Sequence, residues 1–172
     1  MSEPSSDRST TLKYLELALA EVQATVRAYD TKAQIVGVGY TFAINIVASV
    51  AEGFPKAESS TLAAVLIFWG IVMAPLFLFG YVLYPSRMTA PKVDSVSDRS
   101  LKRVLYVETS RHRTVEDLEK AAASSDWVRE MSFEVLKVSK LRELKRGRFI
   151  RALYAAAFSF AFLFAVQVWR VL

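Results

Sequence analysis

The sequence predicts a mostly α-helical integral membrane protein, with three transmembrane helices and a cytosolic helical module. Three observations predict it. Uncharged runs of nineteen, twenty-eight and eighteen residues occupy 33–51, 59–86 and 152–169, and at about 1.5 Å per helical residue each matches a bilayer core roughly 30 Å thick. The stretch between the second and third runs is charged and carries helix start signals. The composition is 53% apolar with a mean hydropathy of +0.26, rich for a soluble domain and low for a chain made only of spans. The chain is therefore expected to be part in lipid and part in water.

Residues 1–10 are small and polar, with too little apolar surface to offset the entropy of ordering, and read as a disordered tail. Their polarity also gives no sign of a secretory leader. Across 11–32, Leu12, Leu15, Leu19, Val22, Val26 and Tyr29 step by three and four, the seam of a cytosolic amphipathic helix with Ser9 or Thr10 as its N-cap. So narrow a seam needs a facing helix, from this chain or from another copy. A homo-oligomer is expected.

No Gly or Pro interrupts Tyr29-Asp30-Thr31-Lys32-Ala33, so one helix should run from water into the first span, 33–52. Asp30 and Lys32 lie two residues apart at this membrane junction and point to different sides, so they should meet separate partners. For Lys32 that partner is lipid phosphate; for Asp30 it is a basic residue of the 145–151 run. Inside the span Ala33, Gly37, Thr41, Asn45 and Ser49 recur every fourth residue. Gly37, Thr41 and Asn45 are the expected helix-packing face, on which small side chains admit a neighbouring backbone and polar ones bond across it. Packing within one subunit is the simplest use of that face, with a subunit interface or a pore lining as alternatives.

A turn at 52–58 contains Gly53 and Pro55. The second span, 61–84, holds Pro75, which should kink it, and Tyr81 and Tyr84, which suit an interfacial aromatic belt. The cytosolic module, 85–147, opens on a Pro-containing linker. Val104-Leu105-Tyr106-Val107 follows, a brief strand by composition with a turn of helix as the alternative. Thr114-Val115-Glu116-Asp117 has the spacing of a capping box and predicts a short helix from Val115. Ser124 or Ser125 should cap the next helix, whose seam is Val128, Met131, Val135, Val138 and Leu141. The basic run Lys145-Arg146-Gly147-Arg148 leads without Pro into the third span, 149–170, flanked by Arg151 and Trp169-Arg170.

Residues 87–148 carry fifteen Lys or Arg against ten Asp or Glu, whereas the 52–58 turn has one Lys against two Glu. The positive-inside rule then puts the N-terminus and the large loop in the cytoplasm, and the turn and the C-terminus outside. The basic excess suits anionic lipid headgroups or an anionic ligand, lipid being the simpler of the two. There is no cysteine and one histidine, His112, which leaves no thiolate or multi-histidine metal site and no cysteine nucleophile. No phosphate-binding glycine loop or nucleophilic constellation stands out, and Arg111-His112-Arg113 reads as a solvated lead-in to the Thr114 cap. No enzyme activity, cofactor, metal or nucleic-acid partner is expected.

Several stretches resemble the Pycsar membrane effectors, the transmembrane class of a bacterial antiphage system built around a pyrimidine cyclase. Tyr29-Asp30-Thr31-Lys32-Ala33-Gln34 is similar to the junction that opens their first span, and Tyr84-Pro85 to the dipeptide that closes their second. Val104-Leu105-Tyr106-Val107 resembles their short aromatic segment, though less rich in Phe; the helix start at Thr114 and the basic stretch before the last span also resemble theirs. The resemblance implies a multi-pass protein of the bacterial inner membrane. It implies a response to a cyclic pyrimidine mononucleotide, cUMP or cCMP, made by a cyclase encoded nearby, and an impaired membrane that causes abortive infection. On that reading Arg99, Lys102, Arg103, Arg111 and Arg113 are candidates to meet the nucleotide's single phosphate charge. The alternative is a scaffolding membrane protein without a nucleotide ligand.

Overall fold

The computed structural model describes residues 4–50, 62–84, 101–105, 109 and 112–171, and among these the regular structure is helical. The helices are α1 (Pro4–Val50), α2 (Leu62–Leu83), α3 (Val115–Ala123) and α4 (Trp127–Val171). They form two compact units, one of Met1–Arg27 and Pro85–Leu144, the other of Ala28–Tyr84 and Lys145–Leu172.

α1 begins at Pro4, so most of the expected disordered tail is helical, and Ser9 and Thr10 lie inside the helix instead of capping it. Proline suits a first helical turn because its missing N–H has no partner to lose there, and Asp7 complements the positive end of the helix. The Arg8 guanidinium donates to Asp126 at 2.6 Å, and the Thr11 hydroxyl donates to the Asp7 carbonyl. The tail is thus tied to residues far along the chain, which a local reading of polarity does not anticipate.

In the first unit the α1 seam closes on the α4 seam. Val22 and Val26 pack with Val138 and Leu141, and Leu19 flanks them. Thr114 caps α3 by accepting from the Asp117 amide at 3.1 Å, as its spacing predicts. The next cap differs from expectation. Ser124 and Ser125 direct their hydroxyls back to carbonyls of α3, and the first turn of α4 bonds instead to the Asp126 carbonyl, which accepts from Arg129 and Glu130. The serines are used to end one helix, so the acidic residue after them starts the other. Residues 101–104 are irregular and Leu105 lies in a bend, so the described part of the 104–107 patch is neither strand nor helix; Tyr106 and Val107 lie outside the described residues.

The second unit packs α1, α2 and α4 around Ala33, Tyr40, Phe79, Val82, Ala152 and Ala156. Small residues let the backbones approach: Ala33 and Ala152 are fully buried, and a β-carbon on Gly37 would sit 3.4 Å from that of Phe79. α2 contains the expected Pro75, buried among its neighbours. One residue beyond the carbonyl that Pro75 leaves without its helical donor, the Val72 carbonyl accepts the Tyr40 hydroxyl at 2.7 Å. Tyr40 also lies 2.7 Å from the Ser159 hydroxyl. A carbonyl can only accept, so Tyr40 donates to Val72 and receives from Ser159, which joins all three helices through one buried chain of hydrogen bonds.

The outward side of this unit is apolar, with Ile35, Phe42, Ile46, Ile67, Phe77, Tyr154, Phe158 and Phe164 all exposed. Two of the described helices are long and apolar enough to cross a membrane, over Val65–Leu83 and within Trp127–Trp169. The expected first span, 33–52, runs past Val50 and so leaves the described residues; α1 is helical up to that point.

Replacing Tyr40 by Phe should lower the thermal midpoint of the detergent-solubilised protein by an amount equivalent to about 1 kcal/mol. Ser159→Ala should cost less, because the Tyr40–Val72 bond survives. Equal midpoints for wild type and Tyr40→Phe would show that this node holds nothing together.

Candidate functional site

The first unit buries three charged side chains on one face of α4: Glu130, Glu134 and Lys137. They step by four and three, so the helix itself brings them into one line. The irregular segment containing Lys102 and Arg103 meets that line at Glu130. Its carboxylate accepts the backbone N–H of Lys102, and that of Arg103 at 3.0 and 3.1 Å to its two oxygens. Two consecutive amides can converge on one acceptor only where the backbone turns sharply. Lys102 lies between the two amides, and directly after it Arg103 has a φ of 58°, the left-handed region; among the described residues it is the one non-glycine with positive φ.

Side chains add positive charge around this contact. The Arg103 guanidinium and the Lys137 ammonium lie 5.9 and 5.7 Å from the centroid of the Phe133 ring, within the range of cation–π attraction. His112 Nε2 is 3.1 Å from the Lys102 carbonyl; the carbonyl can only accept, so Nε2 carries the proton. The segment is therefore held from both sides, by Glu130 through its amides and by His112 through a carbonyl. Chemically the arrangement is an anion-binding turn with a carboxylate already in it.

Of the expected ligand-binding residues, Lys102 and Arg103 are adjacent at this turn, and it is their backbone amides that hold the anion. Arg113 is exposed just before the Thr114 cap, and Arg99 and Arg111 lie outside the described residues. Glu130, Glu134 and Lys137 do not stand out in the sequence, because the apolar seam of Met131, Val138 and Leu141 is the stronger pattern in this helix. A signal was present: Glu130, Glu134, Lys137, Leu141 and Lys145 repeat at the same three-and-four spacing.

In the second unit Lys145, 2% exposed, donates to Asp30. This is the contact expected between Asp30 and the 145–151 run. Lys32 is exposed, its ammonium 5.9 Å from the Tyr29 ring centroid. Tyr29 in turn packs on Phe149 at 6.0 Å. Further round, the Arg148 guanidinium lies 4.0 Å from the Tyr81 ring centroid and donates to the Tyr81 hydroxyl at 3.2 Å.

The expected packing face needs correction. Gly37 is buried, but Thr41 and Asn45 are exposed, and the Thr41 hydroxyl donates to the Gly37 carbonyl of its own helix at 2.9 Å. A line of every fourth residue drifts by about 40° per step on a helix of 3.6 residues per turn, so Thr41 and Asn45 rotate away from Ala33. The face that packs follows alternating steps, Ala33, Gly37, Tyr40 and Ile44.

Compared with known proteins, residues 14–172 match the Pycsar effector protein domain. The chain belongs to the Pycsar effector family. No curated protein and no solved structure matches it. Membership makes the chain an antiphage defence effector, of a family that works with a cyclic nucleotide signal from a cyclase. Together with its two long apolar helices, it also makes this Pycsar effector a membrane protein.

Asp30→Ala should destabilise this Pycsar effector by about 3 kcal/mol, because it leaves the buried Lys145 ammonium without its counter-charge. The Asp30→Ala/Lys145→Met pair should recover most of that loss. Thermal unfolding of these two variants and of Lys145→Met alone in detergent provides the check, and an additive result would show that the two charges do not interact.

Proposed function

We propose that the protein senses a cyclic pyrimidine mononucleotide, cUMP or cCMP, and responds by impairing the inner membrane, so that an infected cell dies before phage spreads. The match to the Pycsar effector protein domain over residues 14–172 carries this reading. The cyclase that supplies the nucleotide is encoded nearby. The ligand docks on the unit containing Lys102, Arg103 and Arg113, with Arg99 and Arg111 contributing from the same basic stretch, and its phosphate is neutralised there. This unit and the N-terminus face the cytoplasm, consistent with the basic excess over residues 87–148.

Helical continuity favours a mechanical response. α1 passes from Asp30 through Lys32 and on to Val50 without Pro or a break, and α4 is likewise one helix across Lys145 and Arg148. A rotation or slide of the cytosolic helices would be carried along them into the first and third spans. The ligand drives such a shift only if it binds the two states unequally. Self-association is supported by the exposed Thr41 and Asn45. An amide facing hydrocarbon lacks donors and acceptors, whereas the same residue on a second copy supplies both. Subunits pairing along that face would open the leak.

Cells producing the protein should depolarise, as read by a membrane-potential dye, when cUMP or cCMP is supplied. If neither nucleotide depolarises cells whose membrane fraction contains the protein, the proposal fails. Asn45→Leu should keep nucleotide binding and weaken depolarisation.

A further inference from the structure

We infer that the paired amides of Lys102 and Arg103 form the subsite for the ligand's phosphate, and that Glu130 is the resident occupant which the phosphate displaces. This rests on the nucleotide reading above and adds to it how the resting state is held.

The chemistry of the two anions is the basis. A carboxylate presents two oxygens sharing one negative charge, and the phosphodiester of a 3′,5′-cyclic nucleotide also presents two non-bridging oxygens sharing one negative charge. A turn that satisfies one with two converging N–H groups fits the other. Glu130 is 2% exposed, and its carboxylate takes both amides, so the turn is filled while no ligand is bound. Two converging amides on one acceptor are what an anion requires. The Arg103 guanidinium and the Lys137 ammonium both lie by the Phe133 ring, three residues along α4 from Glu130, so positive charge lies on this part of the helix.

The occupant comes from α4, the helix that also contains the third span, so exchanging Glu130 for phosphate frees the helix from the segment at that point. The contact is in this sense autoinhibitory: the protein's own carboxylate competes with the signal.

Equilibrium binding of labelled cUMP and cCMP to the purified full chain in detergent tests the exchange. Glu130→Gln, which keeps the shape and removes the charge, should bind the nucleotide about tenfold tighter than wild type, with helicity by circular dichroism unchanged. Equal or weaker binding would overturn the inference and make Glu130 a scaffold of the site. If Glu130→Gln loses helicity, Glu130→Asp takes its place; it shortens the reach to the amides and should also bind tighter, with the same overturning result. Hydrogen exchange supplies a readout that needs no nucleotide. The Lys102 and Arg103 amides should be protected in wild type, exchange faster in Glu130→Gln, and regain protection with inorganic phosphate. Failure of phosphate to protect them overturns the anion subsite. Absence of nucleotide binding to wild type, with phosphate protection intact in Glu130→Gln, overturns the nucleotide reading and leaves the subsite standing.

Discussion

Charge buried along α4 is the constraint to which the other elements answer. Glu130, Glu134, Lys137 and Lys145 are all under a tenth exposed, and taking such groups from water costs several kcal/mol each unless partners are positioned to meet them. In the second unit Lys145 fixes how α1 and α4 align. Counting along the chain from the ion pair, α1 presents Asp30, Ala33, Gly37, Tyr40 and Ile44, while α4 presents Lys145, Ala152, Ala156 and Ser159. Both sets follow the helical period from a charged residue into small ones. A slip of one residue would separate the charges and also carry the buried small residues Ala33, Ala152 and Ala156 off the packed face. The ion pair alone adds little net stability; its value lies in penalising every other register.

In the first unit the same demand shapes a loop. Glu130 sits in the first turn of α4, and its carboxylate takes its donors from another segment, the amides of Lys102 and Arg103. These bonds place the segment against α4, and Arg103 in it has a left-handed backbone. Residues 101–105 are irregular where Glu130 holds Lys102 and Arg103, and this irregular path includes Val104 and Leu105, the described part of the 104–107 patch for which composition suggested a brief strand or a turn of helix. Local β-preference is worth less than a buried charge without donors.

Much of this was legible in the sequence. The apolar seams of α1 and α4, the Thr114 cap, the Pro75-containing helix and the Asp30 contact with the 145–151 run are properties of spacing and charge, and short-range rules report spacing and charge well. What could not be read depends on pairs distant in the chain. Arg8 meets Asp126 across more than a hundred residues, Tyr40 meets Ser159 likewise, and neither residue stands out in its own stretch. The small-residue line failed for another reason. Every fourth residue looks like a face when written in a row, but the α-helical period turns it, so Gly37 packs while Thr41 and Asn45 point outward.

In the proposed exchange, satisfying the Lys102 and Arg103 amides is nearly neutral, since one oxyanion replaces another with the same number of acceptors. What separates the two states is the displaced Glu130, which penalises binding to the resting helix and so gives the ligand its differential affinity. With its donors taken, that carboxylate, 2% exposed, would be a buried anion without hydrogen bonds from the segment, a state costing several kcal/mol. A swing from mostly resting to mostly active needs about 5.5 kcal/mol of differential binding, which is of that order. Relief comes only if Glu130 reaches water, and because it projects from a rigid helix, this requires α4 to turn or shift against the segment rather than a side chain to flip. A charged occupant on a long helix therefore converts a local anion exchange into movement of the helix. A neutral occupant at the same position would bind the ligand and transmit little.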